Sequence, residues 1–193
     1  MELILASTSP RRQALLEQMG VSFRVVDSQA DETVVGHPAP AALVKELSAR
    51  KAYAVQALEG PDPLIIAADT VVALDGAVLG KPSSTEHAMQ MLQALSGRKH
   101  QVYTGLTVLR GETCLTVHEE TDVKFRPLTQ EEITCYLSTG EPMDKAGAYG
   151  IQGYGALFVE GIRGDYYNVM GLPVCRLGQI LRAYGIMGMG VPQ

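Results

Sequence analysis

Apolar runs and helical stripes divide the chain into short, well-marked elements. Leu3-Ile4-Leu5-Ala6 is an unbroken apolar run that reads as a strand, stops at Ser7-Thr8-Ser9-Pro10-Arg11-Arg12 and gives way to a helix closed by Gly20. Ser22 to Val26 predicts a second strand, followed by a polar loop from Asp27 to Pro40. From Ala41 to Leu58 the residues Leu43, Val44, Leu47, Val55 and Leu58 recur at helical spacing, with Lys45 and Lys51 off that stripe, and Gly60-Pro61 ends the helix. Leu64 to Leu74 is a β-rich run, and Asp75-Gly76 before Ala77-Val78-Leu79 carries the signature of a tight hairpin.

Ser83 and Glu86 stand at capping-box spacing and predict a helix through Leu95 that Gly97 stops. Thr129 and Glu132 repeat the device for a helix ending near Gly140. Between these helices, Gln101 to Arg110 and Glu112 to Pro127 predict an antiparallel pair turning at Arg110-Gly111. Ala146 to Gly171 is rich in glycine and reads as loops around a strand at Ala156-Leu157-Phe158-Val159. Leu177, Ile180, Leu181 and Tyr184 share one side of a last helix running from Pro173 to Gly185, and residues 186–193 read as a loose tail. Strands and helices mixed without strict alternation predict an α/β fold on a mixed sheet, with residues 1–185 forming one domain.

Composition narrows the partners. At 193 residues and 46% hydrophobic, the chain can bury a real core as one domain or two closely joined lobes. A net charge of −5 without a Lys/Arg run argues against a nucleic-acid partner. Met1-Glu2 lacks a basic leader, and Asp69 interrupts the most apolar stretch, so no membrane segment is expected. Cys114, Cys135 and Cys175 lack paired spacing and read as reduced thiols of a cytoplasmic protein.

The candidate chemistry starts at the turn from the first strand into the first helix. Ser9 suits the N-cap and Pro10 the first helical position, so free N–H groups there carry the positive end of the helix dipole. Arg11 and Arg12 oppose that dipole, which makes a phosphate site more plausible than a structural cap alone. Asp69 lies between Leu64-Ile65-Ile66-Ala67-Ala68 and Thr70-Val71-Val72-Ala73-Leu74, where an unpaired carboxylate is costly. It must be neutralised, hydrogen-bonded, metal-bound or exposed at an edge, and a purely structural carboxylate weighs about as heavily as a catalytic one.

Other signals are weaker. Lys81 follows Gly80 and precedes Pro82, but Gly76 to Lys81 misses the Walker A spacing and Pro82 replaces the magnesium-binding hydroxyl. By default Lys81, Lys51 and Glu32 are solvated surface charges. Gly150-Ile151-Gln152-Gly153-Tyr154-Gly155 is not a dinucleotide fingerprint, because a strand follows it; Gln152 there is either an ordinary loop residue or a hydrogen-bonding partner for a base edge. His37, His87, His100 and His118 fall in no ligand or nucleophile motif and read as surface or strand residues.

Together these segments resemble the Maf family of nucleoside triphosphate pyrophosphatases from Leu3 to about Tyr184. The resemblance rests on Ala6-Ser7-Thr8-Ser9-Pro10-Arg11-Arg12, Asp31-Glu32, Ala68-Asp69-Thr70-Val71-Val72, Gly80-Lys81-Pro82, Ser96-Gly97, Val102-Tyr103-Thr104-Gly105, the stretch Asp144 to Gly153, and Gly171-Leu172-Pro173. It implies a two-lobed α/β fold with an elongated mixed sheet flanked by helices, similar to inosine triphosphate pyrophosphatase, with the active site in a cleft between lobes. It also implies hydrolysis of a nucleoside triphosphate to the monophosphate and pyrophosphate with a divalent cation, Mg²⁺ or Mn²⁺. Carried over by residue, Asp69 is the proton acceptor, and Arg11, Thr70 and Gln152 govern substrate choice. The 7-methyl-GTP branch of the family has Trp, Gln and Glu at those three positions, so this chain resembles the dTTP and UTP branch. A triphosphate then needs Ser7, Ser9, Arg12, Lys51 and Lys81 around it, with Asp69 and Glu32 as oxygen ligands for the metal. The expected partner is the nucleotide, a homodimer is left open, and a nucleotide-binding regulator without turnover is the rival reading.

Overall fold

The computed structural model describes residues 1–189. In chain order, β1 (Leu3–Leu5) leads to α1 (Pro10–Gln18), β2 (Arg24–Val25), α2 (Pro40–Glu59), β3 (Leu64–Leu74), β4 (Ala77–Leu79), α3 (Thr85–Leu95), β5 (Lys99–Arg110) and β6 (Thr113–Phe125). Then come α4 (Gln130–Ser138), short 3₁₀ turns between Glu141 and Phe158, β7 (Val159–Arg163), α5 (Tyr166–Met170) and α6 (Val174–Arg182). The strands form one sheet in the order β2-β1-β3-β5-β6-β7, with β4 also on β3. β1 pairs parallel with β2 and β3, and the other pairings are antiparallel, so the sheet is mixed as expected.

β3, β5 and β6 hold 11, 12 and 13 residues. At roughly 3.3–3.4 Å per residue each spans about 35–45 Å, enough to serve two lobes. Leu5, Leu15, Ile66, Leu106, Leu177 and Leu181 pack one core at one end of these strands. Val72, Leu92, Leu95, Phe125, Ile133 and Tyr136 pack a second core under α3 and α4 at the other. α2 covers the opposite face, setting Val55 and Ala52 against Ile65 and Ala67, and Val44 and Leu47 against Val71.

The site arises from a break along one edge of β3. β1 stops pairing with β3 at Ile66, and β4 takes up the same edge only at Val72. Residues 67–71 therefore border a gap, into which β1 delivers the turn at Ser7 to Pro10. A cleft of about 860 Å³ opens there.

Much of the local patterning is realised. Asp75 (φ 52°) and Gly76 (φ 81°) both take left-handed backbone, as a two-residue hairpin requires. Thr129 and Glu132 form the expected capping box on α4. All three cysteines are free and exposed.

Several expectations need correction. α3 is capped by Ser84, whose Oγ accepts from the His87 backbone N–H at 3.1 Å, while Ser83 lies outside the helix with its hydroxyl 3.1 Å from His87 Nδ1. Of two adjacent serines, the one with extended backbone (φ −156°, ψ 169°) becomes the cap. The strand around Ala156 starts later, at Val159; Tyr154–Phe158 is a 3₁₀ turn that swings Phe158 edge-on to Phe125 and Tyr136 in the core. α5 occupies a stretch read as loop, opened by Asp165 accepting from the Tyr167 N–H and closed by Gly171 at φ 110°. Only Arg24 and Val25 of the second strand pair. Ile186, the first residue of the expected tail, is buried against the first core, and the Met189 N–H donates to the Met19 carbonyl at 2.6 Å. Residues 190–193 of that tail lie outside the described residues.

Lys51 is buried, contrary to its reading as a solvated charge off the apolar stripe. It lies on the buried face of α2 with Leu47, Ser48, Ala52 and Val55, because its aliphatic stem packs like an apolar side chain while its ammonium meets carboxylates.

Candidate active site

Alternation along β3 sends neighbouring residues to opposite faces. Ala67, Asp69 and Val71 face α2; Ala68, Thr70 and Val72 face the other way. Opposite Asp69 in register is Gly105 of β5. A Cβ at Gly105 would lie 2.0 Å from the Val44 carbonyl oxygen, so the missing side chain lets α2 rest directly on the sheet. Two helical turns beyond Val44, Lys51 then reaches Asp69 Oδ1 at 2.5 Å and Glu32 Oε1 at 2.8 Å.

Glu32 comes from the polar loop before α2, and that loop is tied down. Asp31 Oδ1 accepts from the Thr33 N–H at 2.8 Å, and Arg50 donates to the carbonyls of Asp31 and Thr33 on either side of Glu32. Partial burial pushes the Glu32 pKa up, but its hydrogen bond to Lys51 and the positive charges of Lys51, Lys81 and Arg12 outweigh it. The net shift is downward.

On the opposite face of β3, Arg12 binds three chain segments together. It donates to Ser7 Oγ at 3.2 Å, to Thr70 Oγ1 at 3.1 Å and to the Gly171 carbonyl at 2.8 Å. These bonds use three of the five N–H donors a guanidinium carries. Burial lowers the Arg12 pKa, against the opposing charge of Asp69, yet a guanidinium stays protonated throughout the physiological range.

The hydroxyls behind Arg12 have a fixed direction. Thr104 donates to the Asn168 carbonyl at 2.9 Å, so Thr70, 2.9 Å from Thr104, donates to it and accepts from Arg12. Thr70 thus anchors the guanidinium, with its own proton already engaged. Ser9 occupies the N-cap position, but its hydroxyl caps no amide; instead its N–H donates to Ser7 Oγ at 3.3 Å.

The far wall comes from the hairpin exit and the 3₁₀ segment. Gly80 accepts from the Gly147 N–H at 3.1 Å, and this holds the backbone beside the exposed Lys81. Arg11 reaches Asp144 at 3.5 Å across the cleft, and Lys145 donates to the same carboxylate at 2.6 Å. Gln152 is exposed at the lip of the cleft.

The cleft brings together every residue that the sequence nominated: Ser7, Ser9, Arg11, Arg12, Glu32, Lys51, Asp69, Thr70, Lys81 and Gln152 all line it. Sequence reasoning passed over Lys145 and the role of Gly105. A glycine inside a β-rich run is a recognised sign of close backbone approach, so Gly105 carries a readable signal; Lys145 carries only its place in the stretch Asp144 to Gly153 on which the resemblance rests. Among the described residues no group of three or more His, Cys, Asp or Glu side chains gathers as a metal site. What the chain offers is the carboxylate pair of Glu32 and Asp69.

A family model described as "Maf-like protein" matches residues 2–184. The chain belongs to the Maf family. Curated relatives of this Maf chain include a "dTTP/UTP pyrophosphatase" of Symbiobacterium thermophilum, 53% identical over 184 residues and covering 95% of this chain and 94% of the relative. A protein of the same name from Bacillus cereus (strain B4264) is 46% identical over 185 residues, covering 96% of each chain. Among solved structures, the Staphylococcus aureus Ham1 protein superposes with a TM-score of 0.56 at 14% identity, covering 95% of this chain and all of that one. A HAM1 protein from Coxiella burnetii gives 0.54 at 14% identity, over 95% and 99% of the two chains. These likenesses and the mixed sheet bear out the expected Maf architecture. Among the described residues no helix is long and apolar enough to cross a membrane.

Proposed function

We propose that this Maf chain hydrolyses dTTP and UTP to the nucleoside monophosphate and pyrophosphate. The observation that carries the reading is the convergence of an acidic pair on one ammonium, Glu32 and Asp69 on Lys51, with Arg12 and the α1 N-terminus at the same cleft. A site that only held an anion would gain nothing from a carboxylate at its base. The relatives named dTTP/UTP pyrophosphatase support the same substrates.

In this reading the outer phosphates lie against Arg12, Lys81 and the α1 N-terminus, where guanidinium, ammonium and free N–H groups meet the charge of a departing pyrophosphate. Asp69 accepts the proton of a water directed at phosphorus, and Lys51 holds that carboxylate in one orientation. Gln152 at the lip offers both a donor and an acceptor to a base edge.

The donor set also fits a hard divalent cation. Glu32 and Asp69 would supply carboxylate oxygens, which suit Mg²⁺ or Mn²⁺. When bound, the cation supplies Lewis-acid neutralisation of phosphoryl charge.

The test is a panel of nucleoside triphosphates, including 7-methyl-GTP, assayed for pyrophosphate release with Mg²⁺ and with Mn²⁺. dTTP and UTP should be turned over best. Tight nucleotide binding without turnover would establish the regulatory reading instead, and dominant turnover of 7-methyl-GTP would move the chain to the other branch.

A further inference from the structure

The cleft wall that presents Gln152 is folded around a carboxylate that the proposed chemistry does not use. Glu141 is half-buried beneath residues 150–155. Its Oε1 accepts from the Tyr136 hydroxyl at 2.9 Å and the Gly155 N–H at 3.2 Å, and its Oε2 accepts from the Tyr154 N–H at 2.9 Å. Tyr136 in turn accepts from the Gly150 N–H at 3.1 Å, so both ends of the loop are tied to one Glu-Tyr pair. Lys145 fixes the base of the arrangement by donating to the Glu141 carbonyl at 2.7 Å.

Two glycines of this loop stand where Glu141, Tyr136 and the loop's own backbone leave no room for a Cβ. A Cβ at Gly153 would lie 2.2 Å from Glu141 Oε2 and 2.5 Å from its Cδ. At Gly155 it would lie 2.6 Å from the Gly150 carbonyl oxygen and 2.9 Å from the Tyr136 hydroxyl. The backbone can wrap Glu141 only because these positions have no side chains. Burial works to raise the Glu141 pKa, but the Tyr154 N–H, the Tyr136 hydroxyl and the Gly155 N–H together bring it down, so the acceptor form persists at neutral pH.

We propose that Glu141 is a positioning residue for substrate selection: its carboxylate sets the path of residues 150–155 and so holds the Gln152 amide against the nucleobase. This rests on the pyrimidine nucleotide reading above. Glu141 acts through the loop and not on the nucleotide, since both of its oxygens already accept protein donors. Its loss should therefore loosen recognition of the base and spare chemistry at phosphorus.

Glu141→Gln tests this with almost no change in volume. An amide has one acceptor oxygen, so its NH₂ must face either the Tyr154 N–H or the Tyr136 and Gly155 donors, and the loop must shift. The expected result is a KM for UTP raised about tenfold or more, kcat within about threefold, and a UTP-to-GTP ratio of kcat/KM reduced about tenfold. Binding of inorganic pyrophosphate should stay unchanged. Gly153→Ala leaves the carboxylate in place, pushes on it from the loop side and should give the same KM and selectivity change; it carries the test if Glu141→Gln does not fold. In Glu141→Ala/Gly153→Ala the collision is gone, so the double variant should be no worse than Glu141→Ala alone. A folded Glu141→Gln with wild-type KM and selectivity overturns this proposal alone. Wild-type protein that releases no pyrophosphate from UTP overturns it together with the reading beneath it.

Discussion

Lys51 donates to Asp69 Oδ1 at 2.5 Å while standing 2.8 Å from Glu32 Oε1, so one ammonium sits between the two carboxylates of the cleft. The side chains of Lys51 and Asp69 are each 11% exposed, which makes each the other's principal compensation for lost solvent. Breaking a buried pair from one side typically costs about 3–5 kcal/mol, and the residual exposure here puts Lys51→Met toward the lower end. Urea unfolding should show that loss, and adding Asp69→Asn should recover part of it. Lys51→Met with wild-type stability would mean the pair contributes nothing to the fold.

Asp69→Asn by itself separates chemistry from structure. The amide fills the same space but cannot take a proton from water, so turnover should fall ~100- to 10,000-fold while far-UV circular dichroism is retained. A folded variant with near-normal kcat would remove Asp69 from the mechanism.

Arg12 and Lys81 should part company in stability while agreeing in kinetics. Either change to Ala should reduce kcat/KM by a few kcal/mol of transition-state stabilisation, on the order of that seen when one preorganised donor is lost. Only Arg12→Ala also breaks the ties to Ser7, Thr70 and Gly171, so only it should lower Tm. Lys81 is exposed, and Lys81→Ala should melt like the wild type. Unchanged kcat/KM in either variant would demote that residue to a surface charge.

His100 gives the fold a pH dependence. It is fully buried, its Nε2 lies 2.8 Å from the Tyr149 hydroxyl, and burial depresses its pKa from 6.5 to about 4. The unfolded chain therefore binds the extra proton first. The stability that the neutral imidazole contributes is complete above about pH 6.5 and is lost progressively as pH falls through about 4. At ~1.36 kcal/mol per unit, the loss is on the order of 3 kcal/mol across that window. Chemical denaturation of His100→Gln should show a flatter profile between these limits; an equally steep one would assign the acid sensitivity to other groups.

What was legible in the chain followed from whether a signal was local. Asp75-Gly76 and the Thr129–Glu132 box specify their turn and cap within four residues, and both appear as read. Lys51 reads as off the apolar stripe only by residue type: it stands four residues from both Leu47 and Val55, on the face that α2 buries, and what hides this is that its partners Asp69 and Glu32 lie 18 and 19 residues away. Gly105 stood in plain view inside a β-rich run, but its meaning required knowing that Val44 lies over it. The cleft residues are legible through motif chemistry and family resemblance together. Glu141 escaped both, since its partners Tyr136, Tyr154 and Gly155 meet it only after the loop has wrapped around it.

In the proposed reaction Asp69 directs water to the α-phosphorus while Arg12 and Lys81 hold the departing outer phosphates. Gln152 and Arg11 line the same cleft as Asp69, so a base held near them brings the adjoining α-phosphate closest to the carboxylate. Hydrolysis of UTP in ¹⁸O-labelled water, with both products weighed by mass spectrometry, tests this directly. Label is expected in UMP and none above background in pyrophosphate; label found mainly in pyrophosphate, or orthophosphate as the main product, would contradict this placement of the substrate.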